Sequence, residues 1–285
     1  MKSLMVFVLC ALAVSKVWLQ GNYSKKYLSG NRDTTLFNAF IFLTASVLFL
    51  PSAVGVSIQT IFFSVAFAVL TVIFQLTYTK ALSIGNLSLT VMLVNFSMLF
   101  PVLLSAQIFE EPISLLRGIG VLLTVISFLF GVNIQSKDKV NKKWLIFAVA
   151  SMLANGGIGI VQKFFGESSF CGEKSAFVSW AYIFAGLIAF TIFGILSSKH
   201  NKAERITNKS FYKYAIIIGC ILSCFQLLNT YAIATIDGTF LFPTYAGGSI
   251  ILSALLGLLW FRERLSFKQT ISLIIGIVAI ILMNF

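Results

Sequence analysis

Long apolar stretches separated by short polar links make up most of this chain. None of the stretches alternates between apolar and polar residues as the strands of a membrane barrel do, so a helical reading is favoured. Most approach the length of about 20 residues that a helix needs to cross the hydrocarbon core. The pattern predicts an all-α integral membrane protein with ten transmembrane helices, at residues 3–20, 35–50, 58–78, 88–108, 114–132, 144–164, 175–196, 211–232, 239–261 and 270–283.

The composition excludes several functional classes. The chain is 58% hydrophobic and 11% charged, with a mean hydropathy of +0.96, whereas soluble domains carry about 25% charged residues. Its net charge of +12 is concentrated in the links and at the ends of apolar stretches, so we predict a lipid bilayer as partner and no nucleic acid. The four cysteines lack metal-site spacing. We expect no enzyme, no cofactor and no metal site.

The second half of the chain repeats the first. Moving the C-terminal region back by 152 positions places Glu263 on Glu111 and Ser249 on Ser97. We predict two five-helix repeats, residues 1–138 and 139–285. Because five is odd, the second repeat enters the membrane upside down relative to the first, an arrangement typical of transporters with one central site.

The basic residues of the links indicate an orientation. Links after the odd-numbered stretches, with their flanks, hold sixteen Lys and Arg residues, and the opposite side holds four. The positive-inside rule therefore predicts a multi-pass protein of the plasma or inner membrane with both termini outside.

Two blocks carry a family resemblance. Residues 81–123 and 236–278, each with a Glu and a Ser three residues later before an apolar stretch, resemble the EamA-type repeat of the drug/metabolite transporter superfamily. The resemblance implies a carrier of small metabolites, its cavity lined by stretches three, four, eight and nine and parts of one and six. The second block is also similar to the last two helices of small multidrug resistance proteins, but Asn155 stands where those carry a proton-exchanging Glu.

Polar residues in the apolar stretches predict a lined cavity, since such side chains are costly in lipid unless they face protein or water. Several recur at helical spacing on one face, and the repeat reproduces the pattern of the third stretch in the eighth. The alternative is hydrogen bonding between packed helices. The candidates for the cavity are Thr71, Gln75, Tyr78, Asn95, Ser97, Asn155, Gln162, Ser223, Gln226, Asn229, Thr230, Tyr245 and Ser249.

Glycine and proline raise two backbone hypotheses. Gly156, Gly157 and Gly159 follow Asn155, and they permit either close helix packing or a local break in the sixth helix. Pro101 and Pro243 lie in the fourth and ninth stretches, where each is expected to kink its helix, either around a site or as a structural bend.

Lys16 is the further site candidate and lies inside the first stretch. Two interpretations are open. Its long side chain reaches the headgroups from the end of the span, or it faces the cavity and pairs with a substrate carboxylate or phosphate.

Together these features predict a carrier of a small metabolite, an amino acid or a related polar or amphipathic compound, that works by alternating access and secondary active export. The alternatives are a component of a lipid-linked sugar flippase and a non-transporting membrane scaffold. Fused halves make a monomer sufficient, and a homodimer stays open.

Overall fold

The computed structural model describes residues 2–28, 30–49, 55–109, 114–131, 142–198, 209–260 and 267–283, and within these ranges the regular structure is helical, with no strand. The all-α prediction is confirmed. Short 3₁₀ turns at Phe96–Met98 and Cys171–Glu173 accompany the α-helices. These are α1 (Lys2–Tyr27), α2 (Asn31–Phe49), α3 (Ile58–Ile84), α4 (Leu87–Asn95), α5 (Leu99–Ile108), α6 (Leu115–Gly131), α7 (Lys142–Glu167), α8 (Lys174–Ser198), α9 (Lys209–Ile233), α10 (Gly238–Leu259) and α11 (Phe267–Met283).

The chain is a multi-pass membrane protein. Seven helical segments in the described ranges are long and apolar enough to cross a membrane: α1, α3, the α4–α5 pair, α7, α8, α9 and α10. Helices α6 and α11 have 17 residues each and adjoin residues outside the description, while α2 begins with the polar residues Asn31, Arg32 and Asp33. The acidic links around Glu111 and Glu263, and most of the polar link between the predicted repeats, also lie outside the described residues.

Proline interrupts one helix and leaves another intact. The α-helix of the fourth span gives way to a 3₁₀ turn at Phe96–Met98, and α5 begins at Leu99, two residues before Pro101. Pro101 has no N–H to donate to the carbonyl of Ser97, which explains a break one turn upstream. The α-helix is therefore interrupted here, one turn before the proline. Helix α10 is one continuous α-helix through Pro243, which lies in its second turn, where few backbone bonds precede it.

The glycines of α7 serve close packing. Helix α7 is continuous from Lys142 to Glu167, so the hypothesis of a local break is wrong. A Cβ atom on Gly156 would overlap the ring of Phe100, and one on Gly159 would approach the Pro101 ring to 3.0 Å. The missing side chains thus allow α7 to lie directly against α5, next to the break in the fourth span.

Helix contacts relate the two halves. Helix α1 packs on α9 and α10, and α7 packs on α3 and on α4–α5; α3 packs on α8, and α9 on α2. Helix α2 also packs on α8, α6 on α11, and α4–α5 on α10. Exchanging α1, α2, α3, α4–α5 and α6 for α7, α8, α9, α10 and α11, in that order, converts these pairs into one another. An aromatic core centred on Phe37, Phe67, Phe165, Phe177 and Tyr182 joins α2, α3, α7, α8 and α9.

Candidate substrate cavity

A cavity of about 140 Å³ lies among α1, α3, α4, α5, α7, α8, α9 and α10. Its walls come from both halves of the chain, and most of the residues that line it lie in the interior of their helices, while those of α4 and α5 lie around the 3₁₀ turn at Phe96–Met98. A void lined by mid-helix residues in a multi-pass protein lies inside the bundle.

Most of the predicted site residues meet at this cavity. Twelve of the fourteen line it: Lys16, Thr71, Gln75, Tyr78, Asn95, Ser97, Asn155, Gln162, Gln226, Asn229, Tyr245 and Ser249. The structure places Ser223 and Thr230 elsewhere. Ser223 is buried and donates to the carbonyl of Gly219 on its own helix at 2.8 Å. Thr230 accepts from Gln162 at 3.1 Å, which is a contact between packed helices, so the alternative describes Thr230, whereas Ser223 bonds within its own helix.

Two hydrogen bonds cross between the halves at the cavity wall. The amide nitrogen of Asn155 on α7 donates to the hydroxyl of Ser97 at 2.6 Å. The hydroxyl of Ser249 on α10 lies 2.9 Å from the amide oxygen of Asn95 on α4 and 2.8 Å from the carbonyl of Ala246. Both pairs flank the 3₁₀ turn before Pro101, so the interruption of the fourth span brings its polar side chains to the opposite half.

Amide groups also join α7 to α9. Asn229 donates to the side-chain oxygen of Gln162 at 3.2 Å, and Gln162 donates to Thr230. Gln226 has only a long contact of 3.5 Å to Thr230. The second half therefore offers amides to the cavity that are already largely satisfied by one another.

Lys16 faces the cavity rather than the headgroups. Helix α1 continues to Tyr27, so Lys16 lies near its middle, and only 8% of the residue is exposed. The snorkelling interpretation is wrong because the span is longer than the apolar stretch suggested. The ammonium donates to the side-chain oxygen of Gln75 at 3.0 Å and lies 5.7 Å from the centre of the Phe74 ring. Among the described residues that line the cavity, Lys16 is the one charged side chain.

A line of buried polar side chains leads away from Lys16. Gln75 donates to Gln20 at 3.2 Å, and Gln20 donates to the hydroxyl of Thr79. That hydroxyl lies 3.2 Å from the amide oxygen of Asn38 and 2.7 Å from the carbonyl of Gln75. We call Gln75, Gln20, Thr79 and Asn38 the amide chain; all four are at most 1% exposed.

Sequence reasoning missed three members of the amide chain, although a signal was present. Gln20 follows Lys16 by four residues, and Thr79 follows Gln75 by four, which places each on the same helix face as its predecessor. Gln20 was read as the end of the first stretch because the helix was predicted too short.

Aromatic rings form much of the remaining wall. Phe74, Tyr78, Tyr182, Phe225 and Tyr245 all line the cavity. Tyr182 on α8 had no sequence signal, because its span has no polar stripe and an isolated aromatic residue in an apolar helix is typical of packing.

Two hydroxyl groups at the cavity have no hydrogen-bond partner among the described residues. They belong to Thr71 and Ser253, which are 6% and 1% exposed. Buried polar groups are nearly always hydrogen-bonded, so these two hydroxyls are the ones that a molecule in the cavity would satisfy.

Apolar clusters flank the cavity on two sides. Val6, Leu9 and Cys10 of α1 pack with Ile233 and Leu241 next to the ends of α9 and α10. A second cluster joins α1, α3 and α4 through Val17, Tyr78, Leu82, Leu87 and Val91. The first involves the N-terminal part of α1 and the second the C-terminal part of α3, so they lie towards opposite ends of the bundle. No group of His, Cys, Asp or Glu suited to a metal occurs in the described part of the chain.

Comparison with known proteins identifies the fold and the family. A solved structure titled "Crystal structure of protein" matches with a TM-score of 0.61 and 12% sequence identity, covering 97% of this chain and 98% of its own, which shows a shared fold. No curated protein matches the sequence. The model of the EamA-like transporter family matches residues 142–285, from the first residue of α7 onwards. Because this match covers half of the chain, the protein belongs to the EamA-like transporter family of the drug/metabolite transporter superfamily.

Proposed function

We propose that this membrane transporter is an alternating-access carrier that exports a small polar or amphipathic metabolite, an amino acid or a related compound. The observation that carries the proposal is the central cavity, built from both halves and lined by amides, hydroxyls and aromatic rings. Such a mixed wall suits a ligand with a polar group and an apolar body.

The proposal includes ten spans in two inverted repeats, residues 1–138 and 139–285. Support comes from the helix contacts, which are interchanged when one half replaces the other. An odd number of spans per half requires opposite orientations, and two like halves can then exchange conformations across the membrane plane. The apolar clusters towards the two ends of the bundle are suited to open in turn.

Orientation and assembly complete the proposal. The charges of the links favour an orientation with both termini outside the plasma or inner membrane. A reporter that is active only outside the cell, fused after Phe285, should therefore be active. Activity of a cytoplasmic reporter at the same position would reverse the orientation. The shared cavity needs no second chain, so a monomer is sufficient for transport.

Neither alternative function has a specific observation in its favour. A scaffold needs no cavity between the halves. A flippase needs a basic headgroup pocket, but the buried Lys163 is outside the cavity lining and pairs with Glu167 at 2.7 Å.

Thiol accessibility tests alternating access directly. In a background with Cys10, Cys171, Cys220 and Cys224 replaced by Ser, a single Ser249→Cys variant places a thiol at the cavity wall. A carrier should let membrane-impermeant maleimide reach this thiol from either side of the membrane, at rates that a substrate changes. A Ser64→Cys variant is the matched control, because Ser64 is fully buried between α3 and α8 outside the cavity. Labelling of Ser249→Cys from one side only, in every condition, would rule out alternation.

Flux completes the test. Purified protein in liposomes should move at least one member of a panel of small metabolites, and the same compound should raise its unfolding temperature. A protein that binds compounds in the cavity but moves none of them is not a carrier.

A further inference from the structure

We infer that the substrate is a small organic anion whose carboxylate pairs with Lys16, and that the amide chain holds this lysine in its charged form for that purpose. The inference rests on the transport function proposed above and adds the substrate class to it.

The charge of Lys16 has no opposite charge at the cavity. Its ammonium contacts the neutral Gln75 and the ring of Phe74, and the described lining residues include no carboxylate. A buried ion is costly unless it is paired and hydrogen-bonded. We therefore expect a group from outside the described residues to compensate the charge of Lys16.

The amide chain has a direction. At one end the ammonium of Lys16 can only donate, which turns the oxygen of Gln75 towards it. At the other end Asn38 donates its amide nitrogen to the backbone carbonyl of Thr34 at 2.8 Å, which turns the oxygen of Asn38 towards Thr79. Gln75 and Gln20 then donate successively away from Lys16.

This direction determines what the amide chain does electrostatically. Each amide points its oxygen towards the ammonium, and the aligned dipoles polarise one another. They favour the protonated lysine, yet being neutral they leave its net charge in place. The cavity consequently carries one positive charge, and a substrate anion can supply the missing partner with a charge-assisted hydrogen bond.

The rest of the cavity suits the remainder of such a molecule. The unpartnered hydroxyls of Thr71 and Ser253 can each bond a carboxylate or hydroxyl oxygen, and the rings of Phe74 and Tyr182 offer an apolar surface. A volume of about 140 Å³ resembles the roughly 150 Å³ cavity that holds benzene in an engineered protein. The size therefore fits a small acid.

Cationic substrates are disfavoured by the same features, because the described residues that line the cavity offer no carboxylate to receive an ammonium group. An amino acid would bind through its carboxylate, with its ammonium left to amide oxygens and aromatic rings. A simple carboxylic acid of the same size should bind more tightly.

The experiment compares each acid with its uncharged amide of nearly the same shape, using lactate with lactamide and benzoate with benzamide. Thermal stabilisation of the purified protein gives relative affinities, and liposomes give flux. We expect each acid to bind at least about 10-fold more tightly than its amide. Equal affinity within both pairs, or no saturable stabilisation by either acid up to about 10 mM, would overturn the inference without any mutant.

Variants assign the preference to Lys16. Lys16→Met should remove the preference for the acid, and Lys16→Arg should retain it, because the charge is retained. Lys163→Met is the matched control: it deletes the buried lysine of α7, which does not line the cavity, and should keep the preference. If Lys16→Met does not fold, Lys16→Gln replaces it, since Gln can still donate to Gln75. A preference that survives in the uncharged variant contradicts the inference.

The two proposals fail in different ways. If liposomes take up lactamide or benzamide but show no preference for the acids, the anion inference fails and the carrier remains. If the acids bind in a manner that depends on Lys16 but no compound crosses the bilayer, the anion site remains and the carrier fails.

Discussion

Two lysines are buried in the described part of the chain, Lys16 on α1 and Lys163 on α7, and their surroundings are opposite. Lys163 lies 2.7 Å from Glu167, one turn further on the same helix, and 5.4 Å from the Phe109 ring centre. Lys16 faces the cavity and contacts an amide and a ring, with no carboxylate beside it in the described part of the chain. Both are nearly inaccessible to solvent: Lys163 is 2% exposed and Lys16 is 8% exposed.

The difference shows that burial of a lysine does not by itself indicate function. Lys163 has its counter-charge on its own helix, so its charge is compensated within the fold. The charge of Lys16 is stabilised by neutral dipoles only, so it stays available to a ligand. An ionisable residue within the membrane is the stronger functional candidate when no opposite charge of the protein compensates its own charge.

The largest expected effect comes from giving Lys16 the partner that Lys163 already has. Gln75→Glu places a carboxylate of nearly the same shape at the oxygen that Lys16 contacts. The internal ion pair should neutralise the cavity and compete with the substrate, lowering affinity for benzoate by about 100-fold. Thermal titration measures the affinity, with benzamide as the neutral control. Undiminished binding of benzoate would show that Lys16 is not its partner.

Removing each lysine in turn should separate stability from binding. Lys163→Met leaves the Glu167 carboxylate without its near partner, and because Glu167 is 45% exposed the loss should be about 1–2 kcal/mol of unfolding free energy. Lys16→Met removes an uncompensated charge, so its stability should be unchanged or higher. Unfolding in mixed micelles with a graded denaturing detergent compares the two variants. If Lys16→Met is the less stable of the two, the lysine is structural.

A substitution that interrupts the amide chain should weaken benzoate binding even though the substituted residue does not contact the ligand. Gln20 is not a lining residue, so Gln20→Leu leaves the walls intact while it removes the acceptor for Gln75 and the donor to Thr79. With the dipoles no longer fixed, benzoate should bind about 10-fold more weakly. Benzamide affinity should not change. A parallel loss for both compounds would indicate a distorted cavity instead of a lost electrostatic effect.

The elements that follow from local pattern were predictable from the sequence. Apolar length located the helices, and spaced polar residues such as Thr71 and Gln75 identified a wall that the structure shows. The interruption before Pro101 followed from the missing N–H of proline. These features depend only on neighbours within one helix turn or one span.

The features that depend on tertiary packing were not predictable. Ser223 and Thr230 have the same seven-residue spacing as Thr71 and Tyr78, yet they lie outside the cavity lining. Spacing shows which residues share a face, but packing decides which of them reach the cavity: Gln226 on this face lines it, whereas Thr230 bonds to Gln162 of α7 and Ser223 to its own backbone. The sequence leaves the position of Lys16 open for another reason: α1 extends to Tyr27 through a polar segment that apolar length cannot detect.

The smallest expected effect concerns the unpartnered hydroxyls, and it extends the contrast from charges to neutral groups. Thr71→Val and Ser253→Ala each remove a buried hydroxyl that has no partner among the described residues, so the empty protein should be unchanged or stabilised by about 0.5–1 kcal/mol. Ser127→Ala is the matched control. Its hydroxyl donates to the carbonyl of Ser272 at 2.6 Å in the α6–α11 contact, and its loss should destabilise the protein by a similar amount.

If the hydroxyls of Thr71 and Ser253 contact the substrate, their removal should weaken lactate binding about 3- to 5-fold, whereas Ser127→Ala should leave it unchanged. A loss of stability in Thr71→Val and Ser253→Ala, with lactate binding intact, would make these hydroxyls part of the packing and leave Lys16 as the polar anchor of the cavity.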